Sequence, residues 1–509
     1  MNESKTIVFY DGRETAPAAS TKDQFLLPNG DPQPFAVAST RGYAVGVPGT
    51  LRAFELAVAN HGALPVDAGF APAIKLAAEG FPVDRYLSSY VAGSEQKLRL
   101  SPGSAKTFFP GAVCPQEGKA FIAESAACVG GNAIKEGDKL VQPDLAKTFE
   151  MLRQGDRPSS MFYGGPIGDA IFLAQSQRQG RMALTDLRGY AAKERTPILG
   201  TFGDLRVVSA PPPSAGGLTM IEMLNILEAA DLGSRGDRSV DSLHHMIETM
   251  HLAYQDRYGY IGDTDFVDVP IQGLASKEFA AERRALIGDK ANTSPRPGDP
   301  WKYEGRPRPS GAFVAPTEAG DHTTHYVVVD GWGNVAAVTT TLESLFGTGI
   351  MVPGYGFLLN NQMTDFDFKP GGPNEVAPNK RPRSSMTPTI VLRDGAPILA
   401  LGSPGGPTIT TTVMQVFLDV ALYDKDAAEA VRAPRIYSSD YPNVIWETGI
   451  GDAVREGLRA KGHTVASGAT RIGNVQAAQW ADGGWVGVAD TRAGQGGVEY
   501  VSPDEVNGR

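Results

Sequence analysis

Between Asp321 and Glu343 the chain reads DHTTHYVVVDGWGNVAAVTTTLE: an apolar run, a tight Asp-Gly-Trp-Gly-Asn turn and a second apolar run. So short a turn commits the two runs to antiparallel pairing in a β-hairpin. Centring the turn on Trp332 sets Asp330 against Asn334 or Val335 and, counted outward, Thr323 against Thr341 or its immediate neighbour. Side chains alternate with period two, so Thr341 and Glu343 share a face. The open end of the hairpin therefore gathers two hydroxyls and a carboxylate. Either the threonines are β-branched strand residues or one of them does chemistry. On the hairpin alone the strand reading is favoured, because threonine is enriched in strands generally.

A threonine hydroxyl is a weak nucleophile until a base takes its proton. One solution makes the threonine the first residue of a chain, whose own α-amino group then serves as base. That requires a cut between His322 and Thr323. The stretch just before it, GDKANTSPRPGDPWKYEGRPRPSGAFVAPTEAG from Gly288 to Gly320, is crowded with Pro, Gly and charge, and reads as a surface linker or mobile arm. Thr341 would then hold the Thr323 hydroxyl in position.

The remaining pattern is that of a packed α+β or α/β protein. LRAFELAVANHG, DAGFAPAIKLAAEGF, PDLAKTFEMLRQG, GDAIFLAQSQRQG, IEMLNILEAADLG and VDSLHHMIETMHLAYQDRYGY carry apolar residues at helical spacing and mostly stop at Gly. ERTPILGTFGDLRVVSA reads as two strands, KTIVFYDG as one already under way at the N-terminus. GFLLNN, TPTIVLRDGAPILALG, NVIWETG and GGWVGVAD follow as strands, with a long helix starting near Gly406 and a short one, AAEAVRA, stopped by Pro434. With 509 residues, 41% hydrophobic and 20% charged, the chain is expected to bury a sizeable core. A net charge of −10 and the absence of any basic block exclude a footprint for nucleic acid or an anionic membrane. The most apolar long segment, Thr408 to Tyr423, carries Asp419 and several threonines and does not read as a membrane span. No signal peptide is visible at the N-terminus. Cys114 and Cys128 are either a disulfide of an oxidising compartment or two unrelated buried thiols.

Three further segments carry polar groups suited to a site. GSPGG, Gly402 to Gly406, lies between a strand and a helix, where adjacent glycines expose backbone N–H groups as an oxyanion hole requires. LLNNQMTDFDF offers Asn361, Gln362 and Asp365, suited to an ammonium, and KRPRSSMTPT offers Ser384 and Ser385, suited to a carboxylate. Each segment would also serve as an ordinary turn. His244, Glu248 and His251 fall on one helix face at a spacing a metal could use. With no other ligand cluster in the sequence they read instead as a polar patch on an amphipathic helix. No G-x-S-x-G, P-loop, G-x-G-x-x-G or H-E-x-x-H occurs.

TTHYVVVDGWGNVAAVTTTLESLFGTGI, LLNNQMTDFD, PNKRPRSSMTPTIV and LGSPGGPTITTTVMQ, in this order and at these separations, resemble the small-subunit half of γ-glutamyltransferases, members of the N-terminal-nucleophile hydrolases. The resemblance continues upstream through YDGRETAP, VGVPGTLRAFE, RTPILGTF and APPPSAGG, and so covers essentially the whole chain. It implies an α+β fold of the four-layer αββα type, and a precursor that cuts itself into a large subunit, residues 1–322, and a small subunit, residues 323–509, which stay together as a heterodimer. It also implies Thr323 as nucleophile, Thr341 as its positioning partner, and Gly405 and Gly406 as the oxyanion-hole amides. Arg13, Ser384 and Ser385 would hold the α-carboxylate of a γ-glutamyl group, and Glu343, Gln362 and Asp365 its α-ammonium. The implied reaction passes through a γ-glutamyl ester to water or to an amino acid or peptide acceptor, with no cofactor and no metal, in a periplasmic or secreted protein.

Two departures from the family pattern shape these expectations. Members usually begin with a further stretch before the position matching Lys5, so 1–322 is expected to be N-terminally incomplete. Only 15 residues separate Asp365 from Arg381, as in members without a lid loop, and Glu343 also resembles that branch. An open pocket and bulky leaving groups, γ-glutamyl polymers among them, are the corresponding expectation. The rival readings are a β-lactam side-chain (cephalosporin) acylase of the same fold, and an unprocessed, non-catalytic remnant.

Overall fold

Eight strands organise the site. In this computed structural model, which describes residues 6–501 apart from 65, 116–126, 155–156, 309–321, 493 and 495, β1 (Ile198–Phe202) and β2 (Leu205–Ser209) form one hairpin, and β3 (Thr323–Val329) and β4 (Val335–Thr341) a second. β5 (Thr389–Arg393), β6 (Ala396–Gly402), β7 (Gln476–Ala481) and β8 (Gly484–Ala489) complete the set. A six-stranded antiparallel sheet runs β8-β7-β6-β5-β2-β1. The β3–β4 hairpin pairs only with itself among the described residues, and packs on this sheet against β6 and β7.

The other side of the sheet is covered by α1 (Gly216–Glu228) and α3 (Thr408–Leu422), and α2 (Val240–Tyr260) packs on α1. Val207, Val391 and Leu401 of the sheet meet Met220, Leu224, Val413 and Phe417 of these helices in the main core. Helices this apolar on every side have to be interior ones, and α1 is buried from Gly216 to Leu227. Shorter helices, among them Thr50–His61, Pro143–Gln154 and Pro166–Ser176, gather around the chain that follows the hairpin, where Ile350, Val352 and Leu359 join Tyr163, Ile167 and Ile171. The fold is α+β, of the four-layer αββα type, with helices on one side of the large sheet and the two-stranded hairpin as the second sheet on the other.

Most expected elements form. Two expectations need correction, and one left open is decided. GFLLNN is not a strand: only a single bridge, Met351 to Leu358, occurs there. The amide of Asn360 instead grips the Gly46 backbone, accepting from its N–H and donating to its carbonyl, both at 3.0 Å, so the backbone is held by side-chain bonds where ladder bonds were expected. The faces of α2 that carry His244, Glu248 and His251 are not a surface patch, since all three are buried. Cys114 and Cys128 are joined in a disulfide. Within the Gly288–Gly320 arm, Pro300–Tyr303 is a helical turn, and residues 309–321 lie outside the described residues.

Candidate active site

The hairpin register is the one the turn dictates. Asp330 accepts from the N–H groups of Trp332 and Asn334, at 3.0 and 2.8 Å, and Gly333 takes the left-handed conformation the turn needs, φ +85°. Counting outward, Thr323 stands opposite Thr341 and His325 opposite Thr339. Period-two alternation then decides which threonines face the large sheet. Thr323, Thr341 and Thr339 do, while Thr324 and Thr340 share the outward face with Tyr326 and Val328. His325 lies between the layers, its Nδ1 2.8 Å from the Thr339 hydroxyl, its ring against Gly402, where a Cβ would come within 2.3 Å of it. Glycine at the end of β6 is what lets the hairpin sit so close to the strand leading into the Gly405–Gly406 turn.

At the hairpin's open end the hydroxyls form a directed relay. Thr323 Oγ1 donates to Thr341 Oγ1 at 3.3 Å, and Thr341 Oγ1 donates to the His322 carbonyl at 2.7 Å while accepting the Glu343 N–H at 2.9 Å. Thr341 thus holds both the Thr323 hydroxyl and the carbonyl of the bond preceding it. Glu343 is a non-glycine residue at φ +79°, a strained conformation that the surrounding contacts enforce. Its carboxylate accepts from Ser344 Oγ at 2.6 Å and from the Asn361 amide, and its other oxygen is buried without a partner. Burial, and then the neighbouring Asp365, push Glu343 up to about 8.

These groups open onto one recess. Its wall is formed by Thr323, Thr341, Glu343, Gln362 and Asp365 on one side and by Arg257, Arg383, Ser384, Ser385 and the Gly406–Pro407 turn on the other. Gly405 and Gly406 both have positive φ, at +130° and +54°, and their carbonyls accept the first helical bonds of α3 from Thr408 and Ile409. Gly406 lines the recess and Gly405 stands just behind it. No residue of 366–380 lines the recess; Phe366 and Phe368 anchor that segment in a separate apolar cluster with Phe25 and Met363. The short segment between Asp365 and Arg381 thus adds nothing to the wall of the recess.

Arg13, the cation expected for the carboxylate, is absent from the wall, as are Gly405 and His322. Its guanidinium donates to the carbonyls of Pro382 and Arg383, at 3.1 and 2.7 Å, and is paired with Asp365. Gln362 donates to the same Asp365 carboxylate at 2.7 Å. Arg13 and Asp365 therefore neutralise one another, and the guanidinium facing the recess beside the serines is Arg257, donating to Ser385 Oγ at 2.8 Å. Sequence reasoning missed Arg257, which sits in α2 some 130 residues away; the one available signal was an arginine inside an otherwise interior helix. It also passed over Arg383, which stands beside the serine pair in KRPRSS and is tied to Asp367 at 3.2 Å.

Residues 1–500 match the family model described as gamma-glutamyltranspeptidase. The chain belongs to the gamma-glutamyltranspeptidase family. It is 40% identical over 493 residues to the glutathione hydrolase proenzyme of Bacillus subtilis (strain 168), covering 96% of this chain and 80% of that one. It is 34% identical to the Acylase ACY 1 proenzyme of Pseudomonas sp. (strain SE83), covering 88% of this chain and 74% of that one. Among solved structures, LmbA2991HD superposes with a TM-score of 0.80 at 27% identity, covering 97% of this chain and 87% of that one. The gamma-glutamyltranspeptidase and acylase likenesses share a fold and a proenzyme form, so the charged lining of the recess has to distinguish their chemistries.

Within this family member, no described residue lining the recess is a histidine or a lysine. The nearby His325 is held down to about 3 by burial, so it carries no proton at neutral pH, and it does not reach the recess. A base for the Thr323 hydroxyl has to be a carboxylate or an amine created by cutting the chain before Thr323.

Proposed function

We propose that the chain cleaves itself between His322 and Thr323 and then transfers or hydrolyses γ-glutamyl groups, of glutathione and related γ-glutamyl amides, through an ester on Thr323. The observation that carries this reading is the hydroxyl relay from Thr323 through Thr341 to the His322 carbonyl, set at the edge of a recess with carboxylates on one wall and guanidiniums and serines on the other. In the intact chain Thr323 Oγ attacks the His322 carbonyl carbon, while Thr341 Oγ1 stabilises the oxygen. The peptide C–N bond breaks to leave an ester, and water releases His322 as a carboxylate and Thr323 with a free amine. That amine then takes the hydroxyl proton as Thr323 attacks a γ-amide carbonyl, whose oxygen is met by the Gly405 and Gly406 N–H groups. The leaving amine departs protonated, and water or an amino acid or peptide amine resolves the ester. Residues 1–322 and 323–509 remain together as the large and small subunits.

Charge sorts the substrate's head group. Glu343, Gln362 and Asp365 face the α-ammonium; Ser384, Ser385 and Arg257 face the α-carboxylate, with Arg13 holding Asp365 in place. A γ-glutamyl anilide and a glutaryl anilide differ only by the α-amino group, so their side-by-side turnover tests the reading. The γ-glutamyl compound is expected to be preferred by roughly 100-fold or more in kcat/KM, from a charged hydrogen-bonded contact; equal or better glutaryl turnover would establish the acylase reading instead. A long γ-glutamyl polymer as a third substrate checks the expected open pocket, and total inactivity on it would sink that part. No helix among the described residues is long and apolar enough to cross a membrane. The Cys114–Cys128 bond supports a periplasmic or secreted setting, which cell fractionation tests.

Glu343 gives the reading a pH signature. Because its carboxyl is raised to about 8, it is largely protonated at pH 6.5, and an ammonium binds well only to the ionised form. The KM for a γ-glutamyl donor is expected to fall on the order of tenfold between pH 6.5 and 8.5, following the fraction of ionised Glu343. Glu343→Gln should flatten that dependence. Between the ordinary carboxylate value and about 8 the folded protein binds more protons than the unfolded chain. Glu343 therefore lowers stability as pH rises through this window, and the variant should lose less stability there. A wild-type KM that is flat or rises over this range would remove Glu343 from the ammonium site.

A further inference from the structure

Far from the recess, on the side of α2 that faces the C-terminal part of the chain, three histidines and a glutamate meet in the interior. His244, Glu248 and His463 each place a ligand atom within 4.8 Å of the other two, and all three are buried. His251, one turn further along α2, brings its Nδ1 to 3.5 Å from Glu248 Oε1. None of these side chains takes part in the chemistry described above.

Their hydrogen bonds fix which nitrogens carry lone pairs. His244 Nε2 lies 2.8 Å from the Gly288 carbonyl, which can only accept, so Nε2 carries the hydrogen and Nδ1 is bare. His251 Nε2 lies 2.6 Å from Ser438 Oγ, whose own hydrogen goes to the Asn443 carbonyl, so His251 too donates from Nε2 and turns a bare Nδ1 inward. His251 Nδ1 thus faces a carboxylate oxygen, and neither His251 Nδ1 nor Glu248 Oε1 has a hydrogen-bond partner. His463 faces the Nδ1 of His244 through its Nε2 at 2.8 Å, and its own Nδ1 is also buried without a partner. The two α2 rings are anchored from behind by a carbonyl and a hydroxyl and turn Nδ1 inward, as histidine ligands of a metal do, while His463 donates from Nε2 to His244 Nδ1 and would carry that hydrogen on its own Nδ1 when ligating.

We propose that His244, Glu248 and His463 form a structural Zn²⁺ site, with His251, which stands outside that close-set group beside Glu248, shifting inward as fourth ligand. Neutral imidazoles and one carboxylate suit Zn²⁺ in tetrahedral coordination. Seating it requires the 2.8 Å separation between the facing nitrogens of His244 and His463 to open to roughly 3.3 Å, the edge of a tetrahedron with Zn–N of about 2.0–2.1 Å. The site has a specific consequence for a self-cleaving chain. His244, Glu248 and His251 precede Thr323 and His463 follows it, so the ion would tie the two cleavage products together. It would also fix the start of the arm that leads to the cut, because Glu248 Oε2 accepts the Asn292 N–H at 2.9 Å and His244 holds Gly288.

The test uses the full-length, untagged protein purified without chelator. Elemental analysis is expected to find about one zinc per chain, and after stripping, added Zn²⁺ should raise Tm by several degrees, saturating near one equivalent. Co²⁺ in its place should give the visible absorption of a tetrahedral site. His463→Asn and His251→Asn should each lose the metal-dependent Tm shift, and stripping should hasten separation of the cleaved subunits on native gels. Absence of zinc as purified together with no Tm response and no Co²⁺ spectrum would overturn the proposal and place a proton on His251 Nδ1 instead. Undiminished zinc uptake by both variants would overturn it equally, by locating the ion elsewhere.

Discussion

Thr323→Ala is expected to leave the chain whole on a denaturing gel and to remove turnover of γ-glutamyl donors by at least about 10⁴-fold. The wild-type protein should show two pieces divided before Thr323. The reason is that, in the proposed reaction, a single oxygen does both jobs, attacking the His322 carbonyl in the intact chain and the substrate carbonyl afterwards, and only Thr323 directly follows the bond to be cut. Thr341→Ala separates the two contributions. It keeps the nucleophile but removes the donor to the His322 carbonyl and the acceptor for the Thr323 hydroxyl, and should slow processing by roughly 10²–10³-fold, the usual cost of one oxyanion donor. Wild-type protein that stays in one piece on prolonged incubation would instead establish the non-catalytic remnant.

Arg257→Met should produce the second largest loss, a rise of roughly 30- to 1,000-fold in KM for γ-glutamyl donors, corresponding to about 2–4 kcal/mol from a buried charge left without its partner. Arg257 is almost fully buried and held between the rings of Tyr254 and Tyr258, with its guanidinium carbon 5.4 and 5.5 Å from their centres. Its position is therefore fixed before substrate arrives. A general loss of stability would lower turnover of every substrate alike. The informative comparison is a donor whose α-carboxylate is replaced by a carboxamide. Wild-type enzyme should discriminate strongly against it, and Arg257→Met should not. Unchanged discrimination in the variant would return the carboxylate to Arg13, which would then have to leave Asp365.

The hairpin shows how much of this site was legible in one dimension. A five-residue Asp-to-Asn turn fixes register, and register fixes that Thr323 meets Thr341; both follow from pairing geometry that needs no other part of the chain. Glu343, two residues beyond Thr341, came with the same reasoning. Ser384, Ser385 and the glycine turn were singled out because each lies in a short polar segment next to a strand, and Gln362 and Asp365 because they follow a segment that reads as one. What they do together was not visible, since their proximity is made by the six-stranded sheet and not by their spacing.

Arg257 was missed, and the His244–Glu248–His251 face misread, for the same reason. Periodicity describes α2 as a helix with a polar stripe, and a polar stripe on a helix is ordinarily wet. Only the packing of α2 among its neighbours turns that stripe inward, gives Arg257 a serine to hold, and brings His463 from more than 200 residues away. Likewise the sequence offers Arg13 and Asp365 as opposite ends of a substrate site, whereas the folded chain pairs them with each other. By itself, then, the sequence determined the local elements, the hairpin register and the set of groups able to do γ-glutamyl chemistry, because those depend on covalent geometry and short-range pairing. The tertiary structure decided which charges face the substrate and which cancel in the interior, because burial and long-range contact set the energy of a charge and neither is encoded at any one position.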